Sequence, residues 1–319
     1  MTESTDVFDE FSFLPEQAAD NGIPGPLPAV QRLHLTLPDG RTLSALRYGQ
    51  EPPRVTLLHG AGLNAHTWDT TVLAMGLPAL ALDLPGHGDS SWREDAAYTG
   101  PTLAPDVMAA LAEWTDRPQL LVGQSLGGLT APAVAAAVPE KVAHVVMVDI
   151  TPGVDPNAGP TQIRSFFAGP TDWASRDELV DRALAFGLGG GARRTAERGV
   201  YLNSRVRPDG RVEWKHHFAH LAAAAANGAI EAPAGSDGVA TLLSVTGWDD
   251  LAAVRAPVTL VRGSHGYVTA ADAEEFARRL PAARVVTVAG GHNLQEDAPL
   301  ELGRLLRELA GEAAEPGEG

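Results

Sequence analysis

Cysteine is missing from all 319 residues. That excludes disulfides, a thiolate nucleophile and cysteine-ligated zinc before any motif is considered. Lysine occurs only at 141 and 215, so arginine carries nearly all the positive charge. No apolar run approaches the roughly 20 residues that cross a bilayer. The amino-terminal MTESTDVFDEF has no basic region of the secretory kind, and a cytoplasmic location is the expectation. Positive charge is scarce overall, 24 basic against 40 acidic residues, for a net charge of −16. Residues 1–31 hold six acids and no base, and Glu312, Glu315 and Glu318 crowd the other end. Such a chain repels nucleic-acid phosphates and anionic membranes. The expected partner is a small-molecule substrate, with no nucleic acid and no membrane.

What is there is ordinary globular composition, with 44 % hydrophobic residues, too apolar for a wholly disordered chain. The stretch 21-NGIPGPLP-28 reads as a linker, which makes 1–29 a flexible acidic segment and starts ordered structure near Val30. Two strands then flank the turn Pro38-Asp39-Gly40. Four short apolar runs follow, at 55–59, 79–83, 119–123 and 142–149, separated by stretches of helical character. Continuous apolar strands alternating with helices predict a parallel sheet buried on both faces. The alternation stops between 151 and 250, where helical stretches fall near 176–186 and 213–226. It resumes with a strand at 257–262, a helix at 271–280, a strand at 283–288 and a helix at 298–310. The expected plan is a core of 30–150 and 251–311, an insertion at 151–250 and an acidic tail at 312–319.

The strongest motif is Gly123-Gln124-Ser125-Leu126-Gly127, set between an apolar strand and an Ala-rich helix. A strand-to-helix turn that sharp leaves no room for side chains two residues either side of its apex. Ser125 is then held with its hydroxyl above the sheet edge, as a nucleophile requires. The Leu126 amide, first in the helix, points toward any oxyanion formed there. Of ten histidines, His34 and His144 lie in strands, and His216, His217 and His220 lie in the insertion. His59, His66, His87 and His265 stand on loops after strands. His292 follows the last strand on a Gly-Gly loop, in the chain order nucleophile, acid, histidine, which makes it the expected base.

Two acids compete for the third place. Asp149 ends the run 145-VVMVD-149, beside the nucleophile strand, and is preferred. Asp272 opens the helix after the later strand, where a first-turn acid suits the helix dipole. In the loop 59-HGAGLNAHTWD-69 the small residues let backbone amides approach a ligand, and Ala61 N–H is the expected second oxyanion donor. His59, Asp83 and His87 are expected to tie loops together.

These loops together resemble the α/β-hydrolase superfamily, in its bacterial esterase-like form. The resemblance rests on 59-HGAG-62, 83-DLPGHGDS-90, 123-GQSLGG-128 and Gly291-His292, in that order, over roughly 30–150 and 250–310. It implies a mostly parallel eight-stranded sheet flanked by helices, with a helical cap inserted after strand six. It also implies a cofactor-free serine hydrolase. The run 145-VVMVDITP-152 is similar to the subset whose triad acid follows the sixth strand, which supports Asp149. The chain departs from the commoner members in having no acid directly after the seventh strand.

In the cap, Phe166, Phe167, Trp173, Phe186, Tyr201, Trp214 and Phe218 either line a pocket or fill the cap's own core. His216 and His220 stand one helical turn apart with no third ligand, so no metal and no cofactor are expected. Gly189-Gly190-Gly191 reads as a flexible turn. The expected activity is hydrolysis of an ester, thioester or lactone through an acyl-enzyme. Carbon–carbon bond hydrolysis, acyl transfer or cyclisation on the same residues, and a ligand-binding protein that keeps the fold, remain as alternatives.

Overall fold

The computed structural model describes residues 9–154, 169–186, 192–226 and 247–313. In chain order it begins with α1 (Leu14–Asp20), β1 (Val30–Thr36), β2 (Thr42–Tyr48), β3 (Val55–Leu58), α2 (Asp69–Met75) and β4 (Ala79–Asp83). Next come α3 (Gly100–Trp114), β5 (Gln119–Gln124), α4 (Leu126–Ala137) and β6 (Val142–Val148). The inserted stretch holds β7 (Asp172–Trp173), α5 (Arg176–Ala185), α6 (Arg193–Asn203), β8 (Ser204–Val206), β9 (Val212–Trp214) and α7 (Phe218–Ala226). The chain then forms α8 (Trp248–Ala253), β10 (Val258–Gly263), α9 (Ala270–Arg279), β11 (Arg284–Val288), α10 (Leu294–Asp297) and α11 (Pro299–Glu312).

Eight strands make one sheet in the order β1-β2-β4-β3-β5-β6-β10-β11. β1 and β2 are antiparallel, as are β2 and β4, and the remaining neighbours are parallel. The strands read as unbroken apolar runs because both faces are covered. Along β6, Val145 and Met147 join one apolar cluster while Val146 and Val148 join the other, the period of two that a pleated strand imposes. The first cluster lies under α3, α4, α8 and α9, and the second under α2 and α11. Burying such side chains contributes about 1.5–3 kcal/mol each.

The sequence reading is corrected in two places. Ordered structure does not wait for Val30: within residues 9–29, α1 packs Leu14 and Ala18 on Leu73 of α2, with Phe11, Ile23 and Leu27 around them. Two of the acids at this end are engaged, Glu10 by Arg32 and Glu16 by Arg194. The insertion is also not wholly helical. β7, β9 and β8 form a three-stranded antiparallel sheet, and residues 213–214 belong to β9 rather than to a helix. Trp173, Leu179, Val180, Ala196, Val200, Val212 and Trp214 pack there into an apolar cluster separate from those of the large sheet. Among the described residues no helix is long and apolar enough to cross a membrane.

Candidate active site

β5 ends and α4 begins within one residue, and Ser125 is that residue, with φ 50° and ψ −114°. An L-residue rarely holds such a conformation, which costs of order 1–3 kcal/mol and persists only where the surroundings impose it. Here the glycines impose it. A Cβ at Gly123 would overlap the Gly127 carbonyl, and one at Gly127 would overlap the Leu58 carbonyl of β3. Ser125 N–H donates to Val148 O at 3.2 Å, so the elbow is bonded to the residue that precedes Asp149. Leu126 opens α4, where the first amides of a helix have no carbonyl one turn earlier to bond.

Asp149 also has a positive φ, 48°, and is fully buried at the end of β6. Its carboxylate is surrounded by donors. Gly263 N–H reaches Oδ1 at 2.9 Å, and Tyr267 N–H reaches Oδ2 at 2.6 Å. His292 Nδ1 lies 2.9 Å from the same Oδ2. A Cβ at Gly266 would overlap this carboxylate, so the loop after β10 passes it closely because residue 266 has no side chain. Donation from Nδ1 leaves Nε2 of His292 as the ring's lone-pair nitrogen. Gln124 Nε2 donates to His292 O at 3.3 Å and to Asn293 Oδ1 at 3.2 Å, joining the elbow to the histidine loop. The other acid is elsewhere. Asp272 is only partly buried and completes a capping box with Thr269, accepting from its N–H at 2.8 Å and its hydroxyl at 2.6 Å.

The loop 59–66 is oriented by two buried histidines. His59 Nδ1–H donates to Gly60 O at 2.8 Å, and Leu63 N–H reaches the same carbonyl at 3.2 Å. In a trans peptide the N–H points opposite to the C=O. With no cis bond among the described residues, Ala61 N–H therefore faces away from His59. Gly62 N–H is taken by His87 Nε2 at 3.1 Å, and Leu84 N–H by His59 Nε2 at 2.9 Å. Burial holds both rings below the ordinary imidazole pKa, furthest for His87, which suits one donating and one accepting nitrogen on each. Asp83 ties the same region together. Burial favours its neutral form, but Arg32 and the amides of Ala65 and Asp89 outweigh that and keep its pKa low.

The inserted aromatics divide. Trp173 and Trp214 stack edge-to-face at 5.9 Å in the small cluster, and Phe186 packs against it. Phe218 instead joins the main core, 5.0 Å from the His87 ring. Tyr201 carries the Arg176 guanidinium 4.9 Å above its ring, at a cavity of about 430 Å³ also lined by Glu10, Arg32, Asp89 and Lys215. Phe166, Phe167 and Gly189–Gly191 lie outside the described residues. His216 is buried against Trp214, while His220 stands beside Trp92 with Nε2 3.5 Å from Glu213. Among the described residues no three histidine or acidic side chains are grouped as metal ligands.

The profile of the alpha/beta hydrolase family matches residues 57–304. The chain is 38 % identical to an esterase of Mycobacterium tuberculosis, Rv0045c, over 309 residues, covering 94 % of this chain and 95 % of that one. A solved structure of that esterase superposes with a TM-score of 0.79 at 37 % identity, covering 96 % of this chain and 99 % of the other. A shorter match, 38 % over 118 residues, is to the pimeloyl-(acyl-carrier protein) methyl ester esterase of Aeromonas hydrophila. It covers 35 % of this chain and 42 % of that relative. Sheet order, elbow and near-complete coverage agree: the chain belongs to the alpha/beta hydrolase family and is a hydrolase.

Proposed function

We propose that the protein is a cofactor-free serine esterase, acting on an ester, thioester or lactone of a small organic substrate. The observation that carries the reading is the 2.9 Å contact between His292 Nδ1 and the buried Asp149 carboxylate, with the backbone of Ser125, itself at positive φ, bonded to the residue before that aspartate. The esterase relative of nearly equal length supports it.

In this reading Ser125 Oγ attacks the carbonyl carbon while His292 Nε2 takes its proton. Asp149 keeps the imidazole in the Nδ1–H tautomer and stabilises the imidazolium that forms. The oxygen of the tetrahedral intermediate accepts from Ala61 N–H and Leu126 N–H, donors set before the reaction begins. As the intermediate collapses, His292 gives the proton to the leaving alcohol or thiol, and the acyl group remains on Ser125. Water then attacks that acyl group with His292 again as base, and the acid leaves.

The test is Ser125→Ala together with fluorophosphonate labelling. The variant should lose several orders of magnitude in turnover of a short activated ester, and only wild type should label. A variant keeping more than about a tenth of wild-type turnover would remove Ser125 from the mechanism. Labelling without esterase turnover would favour acyl transfer or carbon–carbon hydrolysis on the same residues.

A further inference from the structure

We propose that Tyr267 is a positioning residue for His292, its ring holding the imidazole in plane and stabilising the imidazolium formed during turnover. The inference rests on the reading of Ser125, His292 and Asp149 given above. The two rings are stacked, with centroids 3.6 Å apart and planes 10° from parallel.

The main chain of Tyr267 is engaged at the same place as its side chain. Its N–H donates to Asp149 Oδ2 at 2.6 Å, the oxygen that His292 Nδ1 also meets at 2.9 Å. One residue thus fixes the acid through its backbone and covers the base with its ring. Both sides of it are anchored. Gly266 passes against the Asp149 carboxylate, Val268 is buried, and Thr269 caps α9. The His292 main chain is held by Gln124 on its carbonyl and by Asp297 on Gly291 N–H, so what the Tyr267 ring adds is a contact to the face of the imidazole. A stacked face blocks rotation of the imidazole while leaving its edge open, Nδ1 to Asp149 and Nε2 to take and return a proton.

The ring also acts on charge. A cation over an aromatic face is stabilised electrostatically. Charged and titratable groups near His292 and its loop include Asp149 just after β6, His265 beside Gly291 on the loop after β10, and Asp297 on α10, which accepts from Gly291 N–H at 2.7 Å. None of them replaces a π face above the imidazole.

The experiment compares Tyr267→Leu and Tyr267→Phe with wild type. Tyr267→Leu should lower kcat by about 3–10-fold at unchanged KM. It should also move the acid limb of kcat/KM by about half to one unit toward lower pH, since an imidazolium without its π face loses its proton more readily. Both effects measure one interaction and should be of similar size. Tyr267→Phe keeps the face and should stay within about twofold of wild type on both counts. Fluorophosphonate should label Ser125 fully in all three proteins but more slowly in the leucine variant. A leucine variant with the wild-type limb and rate, or a phenylalanine variant as impaired as leucine, overturns the proposal while leaving the triad reading standing. Wild type that does not label overturns both. If the leucine variant does not fold, proton NMR of wild type decides. His292 ring protons, assigned through His292→Gln, should resonate upfield of unstacked values, and an ordinary shift overturns the proposal.

Discussion

Asp149 and Asp272 each accept more than one hydrogen bond, yet the regions that hold them differ in almost every physical respect. At the end of β6 the chain is fully buried, turns through a positive φ and surrounds the carboxylate with two amides and an imidazole. At the start of α9 the carboxylate is only partly buried and serves the four residues of its own capping box. A buried charge is tolerated only when its donors are complete, so the β6 end is over-determined. A capping carboxylate needs nothing beyond its own turn. The lesson concerns reach. An acid that organises distant elements is the one whose loss is felt at the reacting atoms.

The contrast breaks first at Asp149→Asn. An amide offers one acceptor oxygen where three donors converge, so its NH₂ must face a donor. It also pairs with the wrong imidazole tautomer. Turnover should fall by about 10²–10⁴. An unmatched buried pair should cost a further 1–3 kcal/mol of stability, roughly, in a denaturant melt. A variant within tenfold of wild type would transfer the role to another carboxylate. Asp272→Asn is the matched control. It should leave turnover within about tenfold and lower stability by about 0.5–1 kcal/mol, as a weakened cap does. A larger loss of turnover than at Asp149 would invert the comparison.

How much of this was legible in the sequence follows the same division between local and distant causes. The elbow is legible because the clash that Gly123 avoids, with the Gly127 carbonyl, lies within the turn itself, although Gly127 answers to Leu58 of β3. The sheet is legible because burial on both faces leaves unbroken apolar runs. The ordered arm that holds α1 is not, because its acids look solvated until Arg32 and Arg194 are known to meet Glu10 and Glu16. The β8–β9 hairpin has a turn at Pro208-Asp209-Gly210, the same signal as at 38–40, but the apolar periodicity after it obscures the short strands. In the site, the strand-end position of Asp149 can be read, but its donors come from residues more than a hundred positions away. The orientation of Ala61 N–H depends on the His59 tautomer, and Tyr267 sits in the stretch Gly-Tyr-Val with nothing to mark it.

The smallest expected effect concerns a third carboxylate, Glu10, which shares the distant reach of Asp149 but bonds to Arg32 and His66 rather than to Ser125 or His292. Its side chain meets Arg32 at 2.9 Å and His66 Nε2 at 3.0 Å, while His66 Nδ1 meets Asp69 at 3.0 Å. Burial alone would lower the His66 pKa. Asp69 and Glu10 outweigh it and raise the value from 6.5 to about 9. A folded pKa above the unfolded one gives stability that is complete below pH 6.5 and declines as pH rises to about 9. The melting temperature of wild type should therefore fall between pH 7 and pH 9.5. Glu10→Gln removes one of the two carboxylates, so the His66 pKa drops toward its ordinary value. The variant should melt lower than wild type at pH 7, and by pH 9.5 the gap should narrow to what the lost Arg32 pair alone contributes. Turnover at pH 7 should be unchanged, because neither Glu10 nor His66 meets Ser125, Asp149 or His292 in any recorded bond. Parallel melting curves would mean that Glu10 acts through Arg32 and not through His66. Lost turnover would mean that this network, like the end of β6, reaches the reacting atoms after all.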